Sequence, residues 1–411
     1  MQNRHILYIT YDGLTDFLGQ SQVLPYILGL ETKGYRFSIL SFEKPDKFNS
    51  NKNIIEELIS NRNIKWYPKK YHKRFSILAT LWDLIIGCIF LIRLSKTDKF
   101  HTVHCRSYIP SILGLISKKI VNTKFIFDMR GFWADERIDG DLWNLKNPVF
   151  KTVYAFFKWI ERKCILNADY VVTLTQNSYE EMQTWKYVTA KVKFKIIPCC
   201  VDLNVFSSNY SDNNEVIRLR KKLSIENKTV ISYLGSIGTW YMIDEMFDYF
   251  KQFKHDFPNA VFLFITPEKE SDIVEIAQKH QLTKEDIRVV KAQRVNVPYY
   301  LLLSQVSLFF IKPTYSKKSS SPTKLAEIMA MGVPVICNSD VGDVEKQVLE
   351  AKAGVVIHSF ENASYERSIS LLKNNFENVF QKEISLQYVK DNFSLAKGVN
   401  SYSEIYSEVL A

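Results

Sequence analysis

Short apolar runs alternate with stretches of helical spacing along the whole chain, and that alternation admits few architectures. The run at 5–10 (HILYIT) is rich in strand formers and reads as a buried parallel strand. A polar, glycine-containing loop follows at 11–19, after which Val23, Leu24, Ile27, Leu28 and Leu30 repeat at helical spacing. Similar runs recur at 36–42, 102–105, 124–127 and 170–174, and the series closes at 194–198. It restarts at 229–235 and continues at 260–266, 287–290, 306–311, 334–337 and 354–357. Alternation of this kind predicts doubly wound α/β sheets. A single core stops growing near about 250–300 residues, so a chain of 411 predicts two such domains. The polar, Asn/Ser-rich stretch at 202–228 reads as the connection and first helix of the second. We expect a Rossmann-like domain over 1–197, another over 198–390, and a closing helix over 391–411 packed back on the first. Ligands of such sheets bind outside the carboxyl ends of the strands, so two domains facing one another would make a central cleft.

The formal net charge of +10 favours anionic partners. Between Arg62 and Arg74 lie six Lys/Arg residues and no acid; Lys69, Lys70, Lys73 and Arg74 are the densest part, and Trp66, Tyr67 and Tyr71 interleave with them. The following stretch, 75–94, is nearly all apolar, broken by Asp83 and Arg93. Its length would cross a bilayer. A charge at mid-segment costs about 2.5–3.5 kcal/mol on insertion scales, however, and a span here would cut the first strand series in half. Two readings stay open: a basic, aromatic segment and hydrophobic helix lying on an anionic membrane surface, or a solvated loop before a core helix. No nucleic-acid-binding motif is present, and nucleic acid is not expected as a partner. The six cysteines form no CxxC pair and read as reduced thiols of a cytosolic protein. The first apolar run ends before Asp12 and is too short for the core of a signal peptide. The cytoplasm is the expected compartment, with peripheral attachment to the inner face of the plasma membrane.

The sharpest local feature is SSSPTKLAEIMAMGVP at 319–334. Ser321 is a good N-cap, Pro322 then falls at the first helical position, and Gly332 with Pro334 ends the helix. The amides of Thr323 and Lys324 lack intrahelical partners and, with the helix dipole and the Lys324 charge, form an anion site. Glu327 shares that face one turn deeper, where a carboxylate suits sugar hydroxyls. These groups fit a nucleoside diphosphate; an ordinary capped helix with a surface Glu is the plainer alternative. After the first strand, free amides are expected near 19–22, because Pro25 allows a helix to start only about four residues earlier, and Gly19 would let an anion or sugar approach the backbone. The spacing is not GxGxxG, so no nicotinamide or flavin fingerprint is present. Asp128 and Arg130 follow the strand at 124–127, where Arg130 would stabilise developing negative charge and Asp128 would orient it or the acceptor; a structural ion pair is the alternative. Asp139-Gly-Asp141 has the DxD form, which is common by chance. No HExxH, GxSxG or P-loop occurs, and no metal site is expected.

Several of these segments resemble family-4 glycosyltransferases. IPCCVD at 197–202 with Phe206 resembles the family's interdomain crossing, and SPTKLAEIMAMGVPVI at 321–336 resembles its donor-site helix. Tyr233-Leu-Gly235, the N-terminal glycine loop and Phe393, Tyr402 and Tyr406 near the C-terminus also fit. The resemblance implies an α/β GT-B fold of two Rossmann-like domains, retention at the anomeric carbon, no bound metal or other cofactor, and a nucleotide sugar as co-substrate. Where the family's donor helix carries the first of two acids, this chain has Ser319. Where the family has Arg and Lys after the opening glycine of the second domain, this chain has Ser236 and Tyr241. Lys317, Lys324 or Arg294 would then substitute in the phosphate clamp, and Arg130 falls near the family's catalytic histidine. The implied function is transfer of a sugar from a nucleotide-diphosphate donor to a lipid-linked or membrane-proximal oligosaccharide acceptor in surface polysaccharide synthesis. A nucleotide-sugar epimerase of the same fold and a non-catalytic membrane-associated scaffold are the alternatives.

Overall fold

Strands of a parallel sheet are covered on both faces, which is why they stand out as continuous apolar runs. The computed structural model, which describes residues 4–73, 76–208 and 213–411, places each of the runs above in such a strand or its immediate continuation. The chain divides into two units, residues 1–200 with 395–411, and residues 201–394.

In the first unit the strands are β1 (His5–Thr10), β2 (Arg36–Glu43), β3 (Ile64–Lys70), β4 (Thr102–Arg106), β5 (Lys124–Asp128), β6 (Tyr170–Thr173) and β7 (Phe194–Ile196). They form one parallel sheet in the order β3-β2-β1-β4-β5-β6-β7. One face is covered by helices Leu24–Glu31, Pro45–Ile59 and Leu395–Leu410, the other by Ser76–Thr97, Tyr108–Ile120 and Pro148–Asn167. The closing helix is an integral part of the first face. Its Val399, Tyr402, Ile405, Tyr406 and Val409 are buried, the Tyr402 ring meets Tyr26 edge-on at 5.6 Å, and Tyr406 Oη lies 2.7 Å from His104 Nδ1.

Sequence periodicity missed β3, which reads as a basic, Pro-containing loop. It lies at the sheet edge, where lysines and proline are tolerated because one side of the strand needs no ladder partner. Lys69 and Lys70 therefore stand on an edge strand, with Lys69 Nζ 5.2 Å above the Phe90 ring; Lys73 is exposed beyond it, and Arg74 lies outside the described residues. The apolar helix Ser76–Thr97 is long enough to cross a bilayer, with a mean hydropathy of 2.1 over its most apolar window, yet it lies on the sheet. Asp83 fixes it there: buried, it accepts from the Tyr11 hydroxyl at 2.7 Å and lies 2.5 Å from His72 Nδ1.

In the second unit, β8 (Thr229–Leu234), β9 (Ala260–Ile265), β10 (Ile287–Val290), β11 (Val306–Leu308), β12 (Val335–Asn338) and β13 (Gly354–Ile357) form a parallel sheet in the order β10-β9-β8-β11-β12-β13. This is the doubly wound order of a dinucleotide-binding sheet, with its reversal between β8 and β11. The fold is thus α/β throughout, as the alternation predicts. The six cysteines are free thiols, five of them buried.

Candidate functional site

A doubly wound sheet takes its ligands at the carboxyl ends of the strands flanking the reversal, here β8 and β11. β8 runs into Gly235, whose φ of +115° favours glycine. A Cβ there would sit 3.1 Å from Lys324 Nζ, so the missing side chain also makes room for that ammonium group. Beyond β11 the chain makes a tight helical turn, Tyr315–Ser319, and enters the helix Thr323–Ala330. The sequence predicts Ser321 as cap and Pro322 as first helical residue; the structure shifts both by one. Pro322, with ψ of 115°, stays extended and is itself the cap, no side chain caps the helix, and Leu325 N donates to Pro322 O at 3.0 Å. Residues 321–323 remain half-buried at the tip while Lys324 to Ala330 are buried.

Lys324 is the centre of this site. Its Nζ donates to Tyr233 Oη at 3.1 Å and lies 3.6 Å from the centre of the Tyr241 ring and 4.2 Å from that of Tyr233. Burial pushes its ammonium well below the ordinary lysine value, with Glu327 opposing the shift. One turn on, the buried Glu327 accepts from Arg294 Nη1 at 2.7 Å, and the Arg294 guanidinium stands 5.0 Å over the Phe206 ring. Burial raises Glu327 and the Arg294 charge pulls it back. It is therefore no surface carboxylate of an ordinary capped helix. Lys317, also buried, has Nζ 3.7 Å from the centre of the Trp240 ring. Ser319 is buried with its hydroxyl turned onto Ser316 O at 2.7 Å, and the exposed Ser236 offers its carbonyl to the Tyr233 hydroxyl at 2.7 Å.

The structure thus brings Lys317 and Lys324 against the segment 235–241, with the Glu327–Arg294 pair one turn along the helix from Lys324. Sequence reasoning missed Trp240 and the role of Tyr241. Both belong to one short loop, and each covers a lysine through a cation–π contact. Their only signal is their place just beyond β8.

In the first unit, Asp128 ends β5 and is buried. Its Oδ2 accepts from the Tyr402 hydroxyl at 3.0 Å and lies 3.5 Å from His104 Nε2; Arg106 and Arg130 each bring a guanidinium nitrogen to 3.9 Å of the carboxylate. Burial opposes ionisation of Asp128, but Arg130, His104 and Arg106 together outweigh it and hold the carboxyl below its usual range. Arg130 has φ of +58°, uncommon for a residue with a side chain, and its Nη2 donates to Cys199 Sγ at 3.2 Å. Arg106, the register partner of Asp128 on β4, donates through Nε to Asp12 Oδ2 at 3.3 Å. His104 and Arg106 were not singled out by sequence, since each sits in an otherwise apolar strand.

Gly19 has a different setting from the one its loop predicts. It lies inside the helix Phe17–Gln22, separated at Val23 from Leu24–Glu31, and a Cβ there would come within 2.0 Å of Gly13 O. The close approach is made by the protein's own backbone. The amides expected free near 19–22 lie within that helix, where Gln20 N donates to Asp16 O at 3.0 Å, and in the loop before it Glu43 accepts from Leu14 N at 2.8 Å and Thr15 N at 3.1 Å. Among the described residues no group of three or more His, Cys, Asp or Glu is placed to hold a metal ion.

Two family models match the chain, one over most of the first unit and the crossing into the second, the other within the second. Residues 23–205 match Glycosyltransferase Family 4 and residues 215–384 match Glycosyl transferases group 1. Sucrose-phosphate synthase from Thermosynechococcus elongatus has a similar structure, with a TM-score of 0.74 at 12% identity over 98% of each chain. HepE from Anabaena, solved with UDP and glucose, gives 0.69 at 12% identity over 98% of this chain and 99% of its own. The lipopolysaccharide outer core galactosyltransferase WaaB gives 0.65 at 12% identity over 98% and 99%. No curated protein matches in sequence. Two doubly wound units, each matched by a glycosyltransferase model, define a sugar-transferring enzyme of the GT-B class. The chain belongs to the family-4 type of glycosyltransferases.

Proposed function

We propose that the enzyme uses a nucleoside-diphosphate sugar, holds it on the second unit, and transfers the sugar with retention to a lipid-linked or membrane-proximal glycan in surface polysaccharide assembly. The observation that carries the donor assignment is Lys324, buried at the tip of the helix Thr323–Ala330 beside Gly235, with the Glu327–Arg294 pair one turn deeper. The diphosphate meets the Thr323 and Lys324 amides and the two lysines, and Glu327 reaches the hydroxyls of the adjoining sugar. HepE, similar over nearly its full length, was solved with UDP, which supports a uridine nucleotide as first candidate. WaaB's outer-core activity supports a cell-surface glycan as acceptor.

In the transfer, the bond from the anomeric carbon to the diphosphate oxygen breaks and one to the acceptor oxygen forms on the same face. Lys317 and Lys324 stabilise the charge that develops on the leaving diphosphate, and the diphosphate oxygen takes the acceptor's proton. Asp128 and Arg130 serve the acceptor side on the first unit. The basic edge at Lys69, Lys70 and Lys73 holds the enzyme peripherally on an anionic cytoplasmic membrane surface. A panel of nucleotide sugars screened by thermal stabilisation tests the donor assignment. A hit is followed by product analysis with lipid-linked acceptors; no stabilisation by any nucleoside diphosphate would sink the reading.

A further inference from the structure

The outer surface of the first unit has an asymmetry that folding does not explain. The helix Ser76–Thr97 exposes Leu78, Leu81, Trp82, Ile85 and Ile89 on one stripe, at the spacing of a single helix face, with Leu78 67% and Trp82 54% exposed. That stripe ends in the exposed Arg93 and Lys96. On the same side of the sheet, the helix Pro148–Asn167 turns Val149, Phe156 and Trp159 outward, followed by Lys163. A soluble surface scatters such residues singly; a contiguous stripe marks a docking site.

The charge pattern names the partner. The helices Ser76–Thr97, Tyr108–Ile120 and Pro148–Asn167 contain two acids, Asp83 and Glu161, and both are buried; the shorter helices Trp133–Asp139 and Gln176–Gln183 on the same side carry acids of their own, Glu180 among them exposed. Asp83 is held by Tyr11 and His72, and Glu161 by Lys158 at 2.6 Å and by the Tyr108 hydroxyl. Every exposed charge on the three longer helices is therefore basic: Arg93, Lys96, Lys119, Lys151, Arg162 and Lys163. On the helices of the opposite side Glu56, Glu404 and Glu408 are exposed. An apolar stripe on a helix whose exposed charges, Arg93 and Lys96, are both cations complements an anionic lipid surface and would repel a basic partner.

We propose that the outward face of the helix Ser76–Thr97, continued by that of Pro148–Asn167, docks flat on an anionic bilayer, with Leu78, Leu81, Trp82, Ile85 and Ile89 entering the acyl boundary. The buried Asp83 keeps the helix on its sheet, so it lies in the interface and does not cross. This rests on the membrane-proximal reading of the acceptor and assigns its surface to particular residues; Lys69, Lys70 and Lys73 are then flanking charges.

The test is co-sedimentation of the full-length protein with vesicles of phosphatidylcholine alone and of equal parts phosphatidylcholine and phosphatidylglycerol. The wild type should partition to the anionic vesicles and be released by alkaline carbonate. Leu81→Glu with Ile85→Glu should lower partition at least about tenfold, and Arg93→Gln with Lys96→Gln should lower it on anionic vesicles only. All four positions are exposed, so thermal melting should stay unchanged. Wild-type and variant proteins that sediment alike, or a wild type that ignores both vesicles, would overturn the proposal. So would carbonate resistance, which means a span, or a wild-type dimer that the Leu81/Ile85 variant splits, which assigns the face to a second copy. UDP binding measured on the same samples separates the two readings. Retained UDP binding without vesicle binding removes the docking face alone, and absent UDP binding bears on the donor assignment alone.

Discussion

At the scale of single residues, the donor reading turns on Lys324 and Glu327, and both make predictions. Glu327→Gln keeps shape and one acceptor but removes the charge facing Arg294. Hydrogen bonds to charged groups are worth about 1.5–3 kcal/mol, so UDP-sugar affinity by calorimetry should fall about tenfold or more; unchanged affinity would take Glu327 out of the site. Lys324 predicts a proton linkage. In the free protein, burial holds its ammonium well below the ordinary lysine value, so the neutral amine is favoured above that lowered value. A diphosphate beside it favours the charged form and raises the value again. Binding should therefore take up a proton between the free and the bound values, and affinity should fall as pH rises through that window. The same depression makes folding stability rise with pH from the lowered value up to the ordinary one, because the unfolded chain then binds the extra proton. Calorimetry in two buffers of different ionisation enthalpy reads the uptake, and Lys324→Met should abolish it. A binding heat independent of the buffer in the wild type would count against a diphosphate at Lys324.

At the scale of elements, the loop 235–241 is the least expected part of the site. Trp240 and Tyr241 lie against Lys317 and Lys324, where the donor reading puts phosphate oxygens. Phosphate and ring compete for the same ammonium groups, so the donor should displace the rings. Tryptophan emission should change on UDP addition, and Trp240→Phe should remove most of the change while leaving binding intact. An undiminished change in that variant would place the responding tryptophan elsewhere. The same loop shows why part of the site was hidden in the sequence. The donor helix carries a local rule, a Pro start and a Gly stop around Lys324 and Glu327, and is legible one residue out of register. The aromatic covers carry none, because a Trp or Tyr beyond a strand looks like any core residue. β3 was hidden for the converse reason: Lys65, Lys69, Lys70 and Pro68 suit an edge strand and imitate a loop. His104 and Arg106 were masked by the apolar strand around them, and their role emerges only from the register that sets Arg106 against Asp128.

At the scale of the whole molecule, the chain enters the second unit once, after Cys200, and returns to the first at Leu395. The second unit is thus continuous in sequence and has its own core, from Val201 to Phe393. The first is discontinuous: the helix Leu395–Leu410 supplies Val399, Tyr402, Ile405, Tyr406 and Val409 to the core under β1 and β2, and the hydroxyls that meet Asp128 and His104. Removing it would bare that core and take away the Tyr402 hydroxyl that donates to the buried Asp128, and each buried aliphatic or aromatic side chain alone is worth about 1.5–3 kcal/mol. Such a loss exceeds the margin of a typical domain, about 5–15 kcal/mol, once several side chains are counted. Residues 201–394 expressed alone should therefore melt cooperatively and bind UDP through Lys317, Lys324 and Glu327. Residues 1–200 should be insoluble or molten, and should recover a sharp melting transition when 395–411 is appended through a flexible linker. A native-like melt of 1–200 without that helix would show that the first sheet carries its own stability, and the closing helix would then be a surface addition.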